Sequence, residues 1–120
     1  MWEYYNANPL GRNVNDCTVR AISLATEKSW DETYKILAEY SRLQGITFSE
    51  IEFINDFLAD RYERFCPPRK AETIRDFMNM KLDGRWLITM RGHITCVVDG
   101  ILYDTFDCSE NFIWCIYKVK

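Results

Sequence analysis

The apolar positions of this chain change rhythm near Met80. Before that residue they recur three and four apart, as on a helix face; after it they fall into short alternating or β-branched runs. The first part reads as helices and the second as an antiparallel sheet. No internal repeat, low-complexity tract or long linker breaks the order, so a single domain over residues 1–120 is expected.

The opening stretch, Met1–Asp16, is polar and rich in turn formers (Asn6, Asn8, Pro9, Gly11, Asn13, Asn15) and reads as an irregular lead-in. A first helix is predicted from Cys17 to Glu27, with Cys17, Ala21, Leu24 and Ala25 on one face and Asn15 or Asp16 as its cap. Ser29 and Glu32 form an S-x-x-E capping box that opens a second helix. Its buried stripe is expected at Trp30, Tyr34, Leu37 and Ala38, and Gly45 is its terminator. Ser49 and Glu52 repeat the box for a third helix, with Phe48 and Phe53 at the staple positions and Ile51, Ile54 and Leu58 facing inward. Pro67–Pro68 marks a loop, and a short helix follows from Ala71 to Met80 with Ile74, Phe77 and Met78 inside.

Asp83–Gly84 signals a turn into strands Arg85–Met90, His93–Val98, Ile101–Phe106 and Phe112–Val119. Asp99–Gly100 is the strongest hairpin signal, since both residues tolerate the positive φ of a type I′ turn. The fold class expected is therefore α+β, with N-terminal helices packed on a C-terminal antiparallel sheet of about four strands.

Composition narrows the function. Hydrophobic residues make up 48% of the chain, with four Trp, seven Tyr and seven Phe, which suits a dense core rather than disorder. The net charge of −3 lacks the basic footprint of a nucleic-acid binder, and Arg69–Lys70 reads as solvated surface. No run approaches the ~20 apolar residues of a membrane span. Met1–Leu10 has neither a basic start nor an apolar core, and the five cysteines form no CxxC pair. A reducing, cytoplasmic setting is expected, with a peptide or protein as partner and neither nucleic acid nor membrane.

The hairpin then places chemistry. With a two-residue loop at Asp99–Gly100, Val98 pairs with Ile101, Thr95 with Asp104 and His93 with Phe106. The period of two puts His93, Thr95, Val97, Leu102, Asp104 and Phe106 on one face. Asp104 then lies diagonal to His93, with Cα atoms roughly 5.5–8 Å apart, within reach of a carboxylate–imidazole bond. Such a bond fixes one ring nitrogen and leaves the other for a nucleophile. Cys17, at a predicted helix start, is that nucleophile: helix N-termini favour a thiolate, and its own N–H is an oxyanion donor. The catalytic candidates are Cys17, His93 and Asp104. Cys96, Cys108 and Cys115 with His93 do not match structural zinc spacings, and Cys96 is predicted to face away from His93, so no metal and no cofactor is expected.

These residues resemble a known family. The run Asn13-Val14-Asn15-Asp16-Cys17-Thr18-Val19-Arg20-Ala21-Ile22 is similar to the nucleophile helix of papain-like cysteine peptidases. Gly92 to Thr105 resembles their histidine strand, hairpin and third-residue strand, and the order Cys, His, Asp matches. The likeness is to compact bacteriocin-processing peptidase domains and small phage-encoded relatives, and more weakly to OTU deubiquitinases. It implies a papain-like fold and a hydrolase cleaving a peptide, isopeptide or amide bond through an acyl-Cys17 intermediate. Papain-like enzymes carry a glutamine about six residues before the cysteine as side-chain donor of the oxyanion hole. Gly11 stands there, so Asn13 or Asn15 is the candidate donor. That departure motivates the alternative of an inactive binding or inhibitory module on a peptidase-like fold.

Overall fold

The computed structural model describes residues 1–48, 51–67 and 70–120. Among them lie four helices, α1 (Cys17–Thr26), α2 (Trp30–Gln44), α3 (Ile51–Arg61) and α4 (Ile74–Asn79). The strands are β1 (Trp2–Tyr4), β2 (Glu63–Arg64), β3 (Arg85–Met90), β4 (His93–Val98), β5 (Ile101–Asp104) and β6 (Cys115–Lys118). The class is mixed α+β. The expected sheet of about four strands is the centre of a six-stranded one, in the order β1-β5-β4-β3-β6-β2.

Both added strands are edges too short to show a period. The three residues of β1 are exposed and were expected to be irregular; they run parallel to β5, Trp2 beside Leu102 and Tyr4 beside Asp104. The sheet is thus not wholly antiparallel. The two residues of β2 pair with Lys118 and Tyr117 of β6. Two strands are also shorter than predicted. β5 stops at Asp104 because the Thr105 N–H turns to the Asp104 carboxylate, donating to Oδ1 at 2.7 Å. Phe112 leaves β6 to bridge Thr73 at the start of α4.

The sheet is covered on both faces. Leu87, Ile94, Cys96 and Tyr117 point toward Val19, Ala21, Ile22 and Ala25 of α1, Leu37 of α2 and Phe53, Phe57 and Leu58 of α3. The alternate residues Trp86, Ile88, Val97, Leu102 and Ile116 pack against Ile74, Phe77 and Met78 of α4. The expected single helical layer is therefore α1–α3 only, with α4 behind the sheet. No described helix is long and apolar enough to cross a membrane.

Local signals explain the helix ends. The Ser29–Glu32 box is formed in both directions, and Gly45 closes α2 at φ 71°. A second box, Thr73 with Asp76, shortens the last helix to Ile74–Asn79. Tyr34 departs from the predicted buried stripe: it is 45% exposed and stacks on Trp30, while Thr33, Leu37 and Ser41 form the buried row. The predicted box at Ser49 and Glu52, the inward side chain of Ile51, and Pro68 and Arg69 lie outside the described residues. Phe48 does stack on Phe53, with ring centroids 5.4 Å apart.

At the far end of α1, Glu27 takes the left-handed conformation that ends the helix, at φ 57°. Arg85 of β3 donates to the Leu24 carbonyl at 2.6 Å and pairs with Glu27 at 3.3 Å, a cation at a helix C-terminus. This pins α1 along the sheet and leaves its N-terminus over the start of β4.

The Asp99–Gly100 turn has φ 50° and 80°, the type I′ pattern, and gives the predicted register: Val98 opposite Ile101 and Cys96 opposite Tyr103. A Cβ at Gly100 meets only ordinary contacts, at 3.5 Å, so strain at a left-handed residue is what a substitution adds. Gly100→Ala is expected to lose about 1–2 kcal/mol in urea denaturation.

Candidate active site

The hairpin register brings His93 and Asp104 together. His93 Nε2 lies 2.6 Å from Asp104 Oδ2. Thr95, directly across from Asp104, donates its hydroxyl to the same oxygen at 2.7 Å, and the Cys108 thiol approaches it at 3.8 Å. Asp104 is 4% exposed, so these bonds replace nearly all its water. Phe106 covers the imidazole at 4.8 Å between ring centroids, although β5 ends at Asp104 and the ladder does not extend to the predicted His93–Phe106 pair.

Cys17 is the first residue of α1 and is partly buried. It shares a cavity wall with His93, whose ring, with the backbone of Ile94, stands near enough to stabilise a charged thiol. Burial raises the thiol pKa, but the nearby His93 ring and its charge, the Ile94 backbone and the Arg20 charge outweigh it and leave it lowered. For His93, burial opposes protonation. The Asp104 hydrogen bond, the neighbouring Cys108 and Cys17 thiols and the Asp104 charge prevail, pushing the imidazole from 6.5 up to about 11. Asp104 follows the same logic: burial raises it, His93 and Thr95 hold it lower, and the net shift is down.

The predicted helix cap is not made. Asp16 occupies the cap position of α1, yet its carboxylate caps no N–H. It takes the Arg20 guanidinium at 2.8 Å, the Trp30 indole N–H at 2.9 Å and the Asn8 amide at 3.2 Å. The first N–H groups of α1, which no helical carbonyl can reach, are therefore left without a side-chain cap. Asn15, Asp16, Cys17, Thr18 and Val19 line a cavity of about 240 Å³ whose other walls are Phe48, Ile54, Asn55, Thr89, Met90, Gly92, His93 and Trp114. Of the two predicted oxyanion donors, Asn15 lines this cavity. Asn13 is exposed on the preceding loop and is not among its walls.

The sequence already sets Thr95 opposite Asp104, but it did not point to Arg20, to Asp16 as the partner of Arg20, or to Cys108 beside Asp104. The Asp16–Arg20 spacing of four on a helix was a readable signal. Cys108 sits on the irregular segment after β5, which carries no period to read. It does make His93, Asp104 and Cys108 a set of three metal-ligand types, with ligand atoms within 4.8 Å of one another. The 2.6 Å between Nε2 and Oδ2 is a hydrogen-bond distance. Two ligands on one tetrahedral zinc would stand about 3.3 Å apart, from metal bonds of about 2.0–2.1 Å. The arrangement fits a shared proton better than a metal.

Comparison of the chain with protein-family models, with curated proteins and with solved structures gave no match.

The pKa shifts carry a stability consequence. The Asp104 contribution is whole above 3.8 and lost as pH falls through its lower folded value; that of His93 is whole below 6.5 and declines as pH rises toward about 11. In urea denaturation, the margin of wild type over Asp104→Asn is therefore expected to be widest between pH 3.8 and 6.5 and to narrow on both sides.

Proposed function

We propose that this chain is a cysteine hydrolase of papain-like architecture, cleaving a peptide, isopeptide or amide bond through an acyl-Cys17 intermediate. The observation that carries the reading is that Cys17 and His93 line one cavity, with the His93 ring held through Nε2 by the buried Asp104 carboxylate. With Nε2 engaged, Nδ1 is the nitrogen left to serve Cys17.

The lowered thiol and raised imidazole favour a thiolate–imidazolium pair at neutral pH. The thiolate attacks the scissile carbonyl carbon, and the carbonyl oxygen becomes an oxyanion. The uncapped N–H groups at the start of α1 and the Asn15 amide are its donors. As the C–N bond breaks, the imidazolium proton passes to the leaving amine, leaving a thioester and a neutral imidazole. Water then attacks the thioester and gives a proton to His93. The C–S bond breaks, the acid departs and the ion pair is restored. Asp104 orients the ring throughout and stabilises its charged form. The cavity beside Cys17, walled by Phe48, Ile54, Met90 and Trp114, supports a substrate with an apolar side chain next to the reacting bond. At about 240 Å³ it suits one side chain rather than a large group.

Alkylation tests the reading and separates it from the binding-module alternative. Iodoacetamide near neutral pH should label Cys17 faster than the exposed Cys66, and His93→Ala should shift the Cys17 rate–pH profile toward higher pH, since the thiolate loses its imidazolium partner. Equal labelling of the two thiols, or an unchanged profile in His93→Ala, would remove the catalytic assignment. Once a substrate is in hand, Asn15→Ala is expected to lower turnover by about 10²–10³, whereas Asn13→Ala leaves it near wild type. Full activity in Asn15→Ala would rule out the side-chain donor.

A further inference from the structure

We infer that Arg20 is a positioning residue: its guanidinium holds the Asp104 carboxylate, and through it His93, in register with the helix end that carries Cys17. This rests on the thiol chemistry proposed above.

Arg20 stands three residues after Cys17 on α1 and is 6% exposed. Nη1 bonds Asp16 Oδ1 at 2.8 Å and Nη2 lies 3.4 Å from Asp104 Oδ1. Each carboxylate gives Oδ1 to Arg20 and keeps Oδ2 for other partners. Asp16 Oδ2 takes Trp30 and Asn8; Asp104 Oδ2 takes His93 and Thr95. One guanidinium therefore spans the first turn of the nucleophile helix and the end of β5.

Stability alone gives little reason for such a group. A buried ion network is costly to desolvate, and apolar packing of the same volume often serves as well. What the guanidinium supplies is a planar fork that fixes two carboxylates at once, which a single ammonium does not reproduce. The carboxylates it joins are the one at the head of the Cys17 helix and the one that holds His93. Reacting groups displaced by about 1 Å can cost about 10²-fold in rate, so a rigid tie at this point acts on the chemistry.

Charge and position predict opposite signs. His93 is the sole histidine of the chain, so its ring proton resonances titrate without ambiguity. If Arg20 acted only as a nearby cation, its loss would leave Asp104 more available to His93 and raise the imidazole further. If it positions Asp104, its loss lets the carboxylate turn away, and His93 falls from about 11 back toward 6.5. The groups that bear on this titration are Asp104 on β5, Cys17 and Arg20 on α1, and Cys108 on the following segment.

The experiment is NMR titration of His93, with iodoacetamide labelling of Cys17, in Arg20→Gln and Arg20→Lys proteins whose folding is checked by urea denaturation. The expected result in Arg20→Gln is a downward His93 titration and Cys17 labelling near neutral pH slowed by about 10²-fold. Arg20→Lys keeps the charge without the fork and is expected to move in the same direction. A folded Arg20→Gln with His93 titrating at or above the wild-type value, or Arg20→Lys with wild-type titration and labelling, overturns the inference. Should neither variant fold, Asp16→Asn takes away the charge that anchors the Arg20 guanidinium at the head of α1 without changing shape, and unchanged titration and labelling there overturn the inference. The proposed chemistry fails separately, when wild-type Cys17 labels no faster than Cys66.

Discussion

The carboxylate of Asp104 is the constraint around which this end of the molecule is built. It is a buried anion on the last residue of a strand, with almost no access to water. An anion so placed is tolerated only if hydrogen bonds and opposite charge replace its hydration. Its partners are the Thr95 hydroxyl, the Thr105 N–H, the Arg20 guanidinium and the His93 ring. They come from the partner strand, from its own backbone, from α1 and from the start of β4. Satisfying one carboxylate thus fixes where the sheet ends, how α1 lies on it and which way the imidazole points.

That arrangement depends on a register, and the register was readable. Asp99 and Gly100 permit positive φ at both turn positions, and only a two-residue turn there sets Thr95 against Asp104. A slip of one residue would send Asp104 and His93 to opposite faces. The Ser29–Glu32 box was equally explicit, because a helix start is a local hydrogen-bond problem. What escaped has a physical reason in each case. β1 and β2 have three and two residues, so their pairing comes from the neighbouring strand rather than from any pattern of their own. Asp16 is one of two residues, with Asn15, that the sequence offers as a cap, but a guanidinium and an indole N–H are stronger claims on a buried carboxylate than a helix N–H. Tyr34 lies at stripe spacing, yet stacking on Trp30 buries one ring face and leaves the rest in solvent.

The diverted carboxylate of Asp16 has a consequence for α1. A capped helix satisfies its leading N–H groups with an aspartate or serine oxygen. Here the aspartate points away, toward Arg20 and Trp30, and the helix start borders a cavity. The positive end of the helix is thereby left available to an anion, whether the Cys17 thiolate or an oxygen beside it. At the other end, Arg85 holds the Leu24 carbonyl and Glu27. The helix is fixed at its C-terminus and left open at its N-terminus, a division that favours a site at the open end.

Two cysteines near β4 show that environment, not residue type, sets thiol chemistry here. Cys96 lies within β4, fully buried between the sheet and α1, and burial pushes its thiol up to about 12. It is a small apolar side chain in all but name. Cys17 sits beside the start of the same strand and also suffers desolvation, but an imidazolium, the Ile94 backbone and a guanidinium reverse the sign. Cys96 occupies the face of β4 that alternation turns away from His93, as the period of two requires. The opposite shifts of these two thiols therefore trace to the same strand alternation that pairs His93 with Asp104. One geometric rule yields a buried core cysteine and, on the other face of β4, an imidazole bonded to Asp104.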